Sequence, residues 1–137
     1  LQSWEKMRIK DVMISPVVTA TPNDNISKIA KIMSKNHISS IIIVENGTPV
    51  GIATARDFLD RVLSQNLDPE NTQINQIMST DLITLNPESR ILDALKIMKQ
   101  TNFSQFPVME KNKLVGIISL NDLMLFLSTF FSSQNIV

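Results

Sequence analysis

Apolar residues in this chain change their spacing in a fixed order, and the order occurs twice. A short extended segment, Val17-Val18-Thr19, ends in a break at Pro22. Ile26, Ile29, Ala30 and Met33 then fall at helical spacing and predict an amphipathic helix, with Asn23, Asp24 and Asn25 before it as cap candidates. Ile41-Ile42-Ile43-Val44 is a continuous β-branched run, too short for a typical helix, and predicts a buried strand. Asn46-Gly47 signals a hairpin turn. A further strand covers Val50 to Ala53, and a second helix starts near Thr54 with Phe58, Leu59 and Val62. The second pass has an extended segment at Leu82-Ile83-Thr84, a break at Pro87 and cap candidates Glu88 and Ser89. Ile91, Ala94, Leu95 and Met98 mark its first helix. Lys111-Asn112-Lys113 stands in for the turn, Val115 to Ile118 for the next strand, and a helix starts near Ser119 with Leu123, Met124 and Leu127.

The two passes are one unit written twice. Ile9 to Leu63 overlays Ile74 to Ser128 at a constant offset of 65 residues without a gap, and fourteen of the 55 pairs are identical. Met13/Met78, Thr19/Thr84, Pro22/Pro87, Gly51/Gly116 and Asp57/Asp122 are among them. A repeat of this period decides the fold reading. The expected class is α/β (α+β), a tandem β-α-β-β-α packed as a pseudo-twofold pair with related clefts between the copies. The expected divisions are an N-terminal arm 1–8, which contains Trp4, a first repeat 9–64, a polar linker 65–73 containing Pro69, a second repeat 74–128 and a tail 129–137.

Composition narrows the chemistry. The chain has 137 residues, 13 basic and 13 acidic side chains, and a formal net charge of zero, so nothing global favours nucleic acid or an anionic membrane. With no cysteine there is no disulfide framework and no thiolate, and a single histidine, His37, argues against a histidine-based metal site. No nucleophile–base pair is visible, so no enzyme activity is expected. There is no tyrosine and only one tryptophan to stack bases. The longest apolar stretch, Leu123 to Phe131, is too short to cross a bilayer. The chain opens on Leu1 rather than Met, as a processed or cloned piece does, and a cytoplasmic location is expected.

The third strand of each repeat ends in a distinctive junction: Gly51-Ile52-Ala53-Thr54-Ala55-Arg56-Asp57 and Gly116-Ile117-Ile118-Ser119-Leu120-Asn121-Asp122. A hydroxyl residue sits at a strand-to-helix boundary with an aspartate three residues on. One reading is a capping box, in which the hydroxyl caps the helix and the acid reaches back. The other is a ligand site. A helix N-terminus suits a phosphate, a carboxylate one turn inside can accept hydrogen bonds from ribose hydroxyls, and the hydroxyl and Arg56 can hold phosphate oxygens. Gly51 and Gly116 would let a ligand approach the backbone. A cap can exchange partners when a ligand arrives, so the readings are compatible.

Together these elements resemble a pair of CBS domains, also called a Bateman module. The likeness runs from Ile9 to Phe126 through Val12-Met13 and Ile77-Met78, the segments Val18 to Pro22 and Ile83 to Pro87, the Phe106-Pro107-Val108 strand and both junctions. The resemblance implies two clefts for regulatory adenosyl ligands (AMP, ADP, ATP or S-adenosylmethionine), dimers of pairs and regulation rather than catalysis, with no obligatory cofactor. Carried onto this chain, Asp57 would take ribose hydroxyls and Thr54 a phosphate. Thr19, Ala20 and Pro22, with Ile38 and Ser39, would wall the base. The second set is Asp122, Ser119 and Asn121, with Thr84, Leu85, Pro87, Phe103 and Ser104. The chain departs from the family pattern at Ile42 against Pro107 and at Arg56 against Asn121. It also has Ser39, Ser40, Ser104 and Gln105 where the family often has basic or histidine residues.

The alternative is a ligand-free structural module that dimerises. Phe126, Phe130 and Phe131 exceed what one helix face needs for its own core, and an exposed patch of that kind usually marks an interface. A homodimer with Phe126 or Phe130 near its contact is expected, and an unidentified effector protein or domain is the other candidate partner.

Overall fold

The computed structural model describes residues 3–133; the start of the expected arm (1–2) and the end of the expected tail (134–137) lie outside it. The chain divides into two compact units. One runs continuously over Val18–Leu82. The other joins the segment up to Val17 to the chain from Ile83 onward.

In the continuous unit, β1 (Thr19–Ala20), β2 (Ser40–Glu45) and β3 (Thr48–Thr54) form a sheet in the order β1-β2-β3. The first pair is parallel and the second antiparallel. Helix α1 (Ile26–Asn36) starts where the Asn25 side chain accepts the Lys28 N–H at 2.8 Å. It ends at His37, in the left-handed region at φ 53°. Ile26, Ile29 and Met33 are buried as expected and Ile32 packs against them, whereas Ala30 is exposed, so Ile32 rather than Ala30 completes the inward stripe. Ile41, Ile42 and Ile43 are fully buried, each side chain worth roughly 1.5–3 kcal/mol. Asn46 and Gly47 both have positive φ, 52° and 78°, which a type I′ turn requires. Helix α2 (Ala55–Phe58) passes into a π-helical turn at Leu59–Leu63 that buries Val62.

The discontinuous unit repeats the plan with α3 (Ile91–Thr101), β4 (Gln105–Glu110), β5 (Lys113–Ser119) and α4 (Leu120–Ser133). Lys111 and Asn112 adopt φ 50° and 64°, so a turn without glycine takes the same form. The expected strand at Leu82 to Thr84 does not form. The chain there pairs with β4 only as an isolated bridge of Leu85 to Val108. The core holds Ile9, Ile91, Ala94, Phe106, Val108, Ile118 and Leu123, with Trp4 and Met7 packed against it.

Each unit is completed by residues that belong in sequence to the opposite repeat. Ile74 N–H donates to the Asp24 carbonyl and Asn75 N–H to that of Pro22, at 2.8 and 3.1 Å. Ile9 and Lys10 do the same to Ser89 and Pro87. Ser79 bridges Ile52 on β3, and Ile14 bridges Ile117 on β5. The first N–H of α1 is taken by the Thr72 carbonyl, and that of α3 by the Met7 carbonyl. Every one of these bonds has a counterpart 65 residues on. The polar stretch before the second repeat is therefore fastened to α1 as a helix cap, and the arm before the first repeat performs the same task on α3.

Candidate functional site

Both strand-to-helix junctions form closed capping boxes. Thr54 N–H donates to Asp57 Oδ2 at 2.9 Å, and Asp57 N–H donates to Thr54 Oγ1 at 3.1 Å. In the other unit Ser119 N–H donates to Asp122 Oδ2 at 2.9 Å, and Asp122 N–H to Ser119 Oγ at 3.2 Å. The Ser119 hydroxyl also donates to Asp122 Oδ2 at 2.9 Å. All four residues are half-buried. In each box the cap uses Oδ2. The other oxygen, Oδ1, accepts no hydrogen bond from the described residues.

The sheets bring further residues to these junctions. Ala55 N–H donates to the Ser39 carbonyl at 2.9 Å, and Leu120 N–H to the Ser104 carbonyl at 2.8 Å. Register sets Ser40 opposite Thr54 and Gln105 opposite Ser119. Ile38 and Phe103 lean on the cores of their own units. Thr19, Ala20 and Pro22 are placed elsewhere in the continuous unit. β1 lies across β2 from β3, and Thr19 pairs with Ile42 in parallel, so the chain from Thr19 to Pro22 runs towards the Glu45 end, away from Thr54. The Leu85–Val108 bridge gives Thr84, Leu85 and Pro87 the same placement in the discontinuous unit.

The charged surroundings differ. Arg56 turns along its helix to Asp60, with Nε 2.9 Å from Oδ2. Arg61, which the motif reading passed over, brings Nε to 3.8 Å from Asp57 Oδ1 and donates to the Ile77 carbonyl at 2.9 Å. Its four-residue spacing from Asp57 was the available signal. The equivalents of Arg56 and Arg61 are Asn121 and Phe126, and Phe126 packs on the core.

The glycines need a correction. What approaches Gly51 and Gly116 is a methionine, not open space for a ligand. A Cβ on Gly51 would overlap the Met78 side chain, with Cγ at 2.8 Å, and a Cβ on Gly116 would meet Met13 Cγ at 2.9 Å. The bridges at Ser79 and Ile14 hold these methionines against the strands.

Among the described residues no cluster of His, Cys, Asp or Glu is placed to hold a metal, and no helix is long and apolar enough to cross a membrane. The chain matches the CBS domain over residues 9–64 and 74–129, and it belongs to that family as two CBS domains in tandem, the arrangement of a Bateman module. It is 36% identical over 115 residues to the CBS domain-containing protein YhcV of Bacillus subtilis, covering 84% of this chain and 81% of that one. It is 40% identical over 115 residues to the uncharacterized protein MJ0653 of Methanocaldococcus jannaschii, covering 84% of this chain and 59% of the relative. The coverage of MJ1232 from the same organism falls to 43% of its length, so some relatives are much longer than this chain. Among solved structures it is similar to the CBS domain pair of protein MJ0100 in complex with 5′-methylthioadenosine and S-adenosyl-L-methionine. The TM-score is 0.80 at 30% identity, covering 90% of this chain and 97% of that one.

Proposed function

We propose that this CBS pair is a regulatory module that binds adenosyl ligands, with AMP, ADP, ATP and S-adenosylmethionine as the candidates. Asp57 and Asp122 take ribose hydroxyls. Thr54 with Arg56, and Ser119 with Asn121, face the 5′ substituent. Ile38 and Ser39 in the first repeat, and Phe103 and Ser104 in the second, are proposed to wall the base; Thr19, Ala20 and Pro22, and Thr84, Leu85 and Pro87, run away from these junctions and are not assigned to that wall. One observation carries the reading: in both units the cap consumes a single carboxylate oxygen and leaves Oδ1 without a hydrogen bond from the described residues, with only the looser Arg61 contact at 3.8 Å beside that of Asp57. The likeness to the MJ0100 pair supports it.

A second reading is a ligand-free dimerisation module. It is favoured by the capping boxes, which close without any ligand. Calorimetry on Asp57→Ala and Asp122→Ala separates the two. A ribose acceptor is worth roughly 1.5–3 kcal/mol, so each variant should lose about tenfold to a hundredfold in affinity at its own site. Unchanged affinity with a lowered melting temperature would leave only the cap.

A further inference from the structure

We propose that the two junctions sort ligands by charge. The Ser119–Asp122 junction, with Gln105 beside it, takes an adenosyl group whose 5′ substituent carries no phosphate, and the Thr54–Asp57 junction takes a phosphorylated one. This rests on the adenosyl reading above and adds the ligand class of each junction.

Gln105 supplies the first argument. It faces Ser119 across β4 and β5, and directly opposed residues in an antiparallel pair raise their side chains from the same face. Its Oε1 is buried and has no hydrogen-bond partner. Buried acceptors are nearly always satisfied, so this one lacks a donor that a bound ligand would supply. The equivalent residue opposite Thr54 is Ser40, and among the described residues its hydroxyl is not a buried group left without a partner.

Charge supplies the second. Arg61 stands by Asp57 and Arg56 pairs with Asp60, so the carboxylates of that junction are offset by two guanidinium groups. Helix α4 (Leu120–Ser133) carries no lysine or arginine, and Asp122 is its only charged residue. The Ser119 hydroxyl already gives its proton to Asp122 Oδ2, so it is not offered to a phosphate oxygen. A phosphate here would set an anion against a carboxylate and an amide oxygen. A thioether, hydroxyl or sulfonium at the 5′ position meets no such repulsion.

The test is titration calorimetry of the whole chain with AMP and with 5′-methylthioadenosine. Asp57→Asn and Asp122→Asn keep an oxygen for the cap, and Gln105→Met replaces the amide by an apolar chain of similar length. AMP affinity should fall about tenfold or more in Asp57→Asn and change less than about twofold in Asp122→Asn, with the pattern reversed for methylthioadenosine. Gln105→Met should weaken methylthioadenosine alone. Its ligand-free chain should melt no lower than wild type, because losing an unpartnered buried acceptor costs nothing. Both ligands following the same aspartate, or methylthioadenosine binding unchanged in Gln105→Met, would overturn the sorting and leave the adenosyl reading standing. Failure of both ligands to bind wild type would overturn both.

Discussion

At the scale of single residues, identical positions in the two repeats turn out to be partners across them. Met78 lies on Gly51 and Met13 on Gly116. All four were visible in the sequence as repeated residues, but their meeting was not, because it depends on each leading segment packing against the opposite repeat's strand. Gly51→Ala and Gly116→Ala should each destabilise by about 1–3 kcal/mol through overpacking. Met78→Ala should recover part of the Gly51→Ala loss, and a denaturation cycle on the four variants measures that coupling. Additive losses would show that the contact is not the cause. Asp24 offers a pH test. Burial alone would raise its carboxyl, but hydrogen bonds from Lys28 and from the Thr21 N–H outweigh it and hold the carboxyl below its ordinary value. A carboxyl lowered on folding stabilises above its unfolded value of about 3.9, and the contribution disappears as the pH falls through the folded value. Asp24→Asn should therefore melt below wild type at neutral pH, and the gap should close as the pH falls below the ordinary carboxyl range.

At the scale of elements, the strongest signals were local ones. The isoleucine run became the buried β2, and the hydroxyl–acid spacing became two capping boxes. The weakest was the first strand of each repeat, reduced to Thr19–Ala20 in one copy and to a single bridge at Leu85 in the other. Its pairing is parallel and depends on distant residues, which alternation along the chain does not encode. Gln105 was read in the sequence only as a missing basic residue. Its buried oxygen becomes evident once register sets it against Ser119. The turns allow a direct comparison, since one conformation is built from Asn46-Gly47 and from Lys111-Asn112. Left-handed backbone costs an L-residue about 1–2 kcal/mol, and glycine's extra entropy returns about 0.5–1 of that. Rewriting Lys111-Asn112 as Asn-Gly should raise stability by about 0.5–1 kcal/mol, and Gly47→Ala should lower it by a similar amount. Shifts in the urea midpoint at constant slope would check both, and a loss from the first change would refute the strain argument.

At the scale of the whole molecule, the question is what covers the apolar surface left outside the two cores. The sequence pointed to the phenylalanines of the last helix. All three are half-buried: Phe126 packs on the core, its ring centroid lies 6.0 Å from that of Phe130, and Phe130 meets Phe131 edge to face at 5.8 Å. The exposed positions are their neighbours. Met124 and Leu125 are 59% and 70% exposed, and Leu63 on the corresponding helical segment of the other unit is 62% exposed. Leu59, which aligns with Met124 in the repeat, is exposed as well. Isolated exposed leucines are ordinary, but a matched exposed pair, Leu59 and Met124, with a further exposed leucine on each helical segment is better explained by a partner, and a twofold copy is the commonest one. We therefore expect the chain to form a homodimer through these faces. Light scattering over a concentration series should give twice the 15.4 kDa chain mass for wild type. Leu63→Glu and Met124→Glu place charges on surface positions, so they should shift the mass towards the monomer while leaving the melting transition of the dilute chain intact. A wild-type mass that stays at the monomer across the series would refute the dimer. A dimer indifferent to both charges but broken by Phe130→Glu would return the contact to the phenylalanine end of α4.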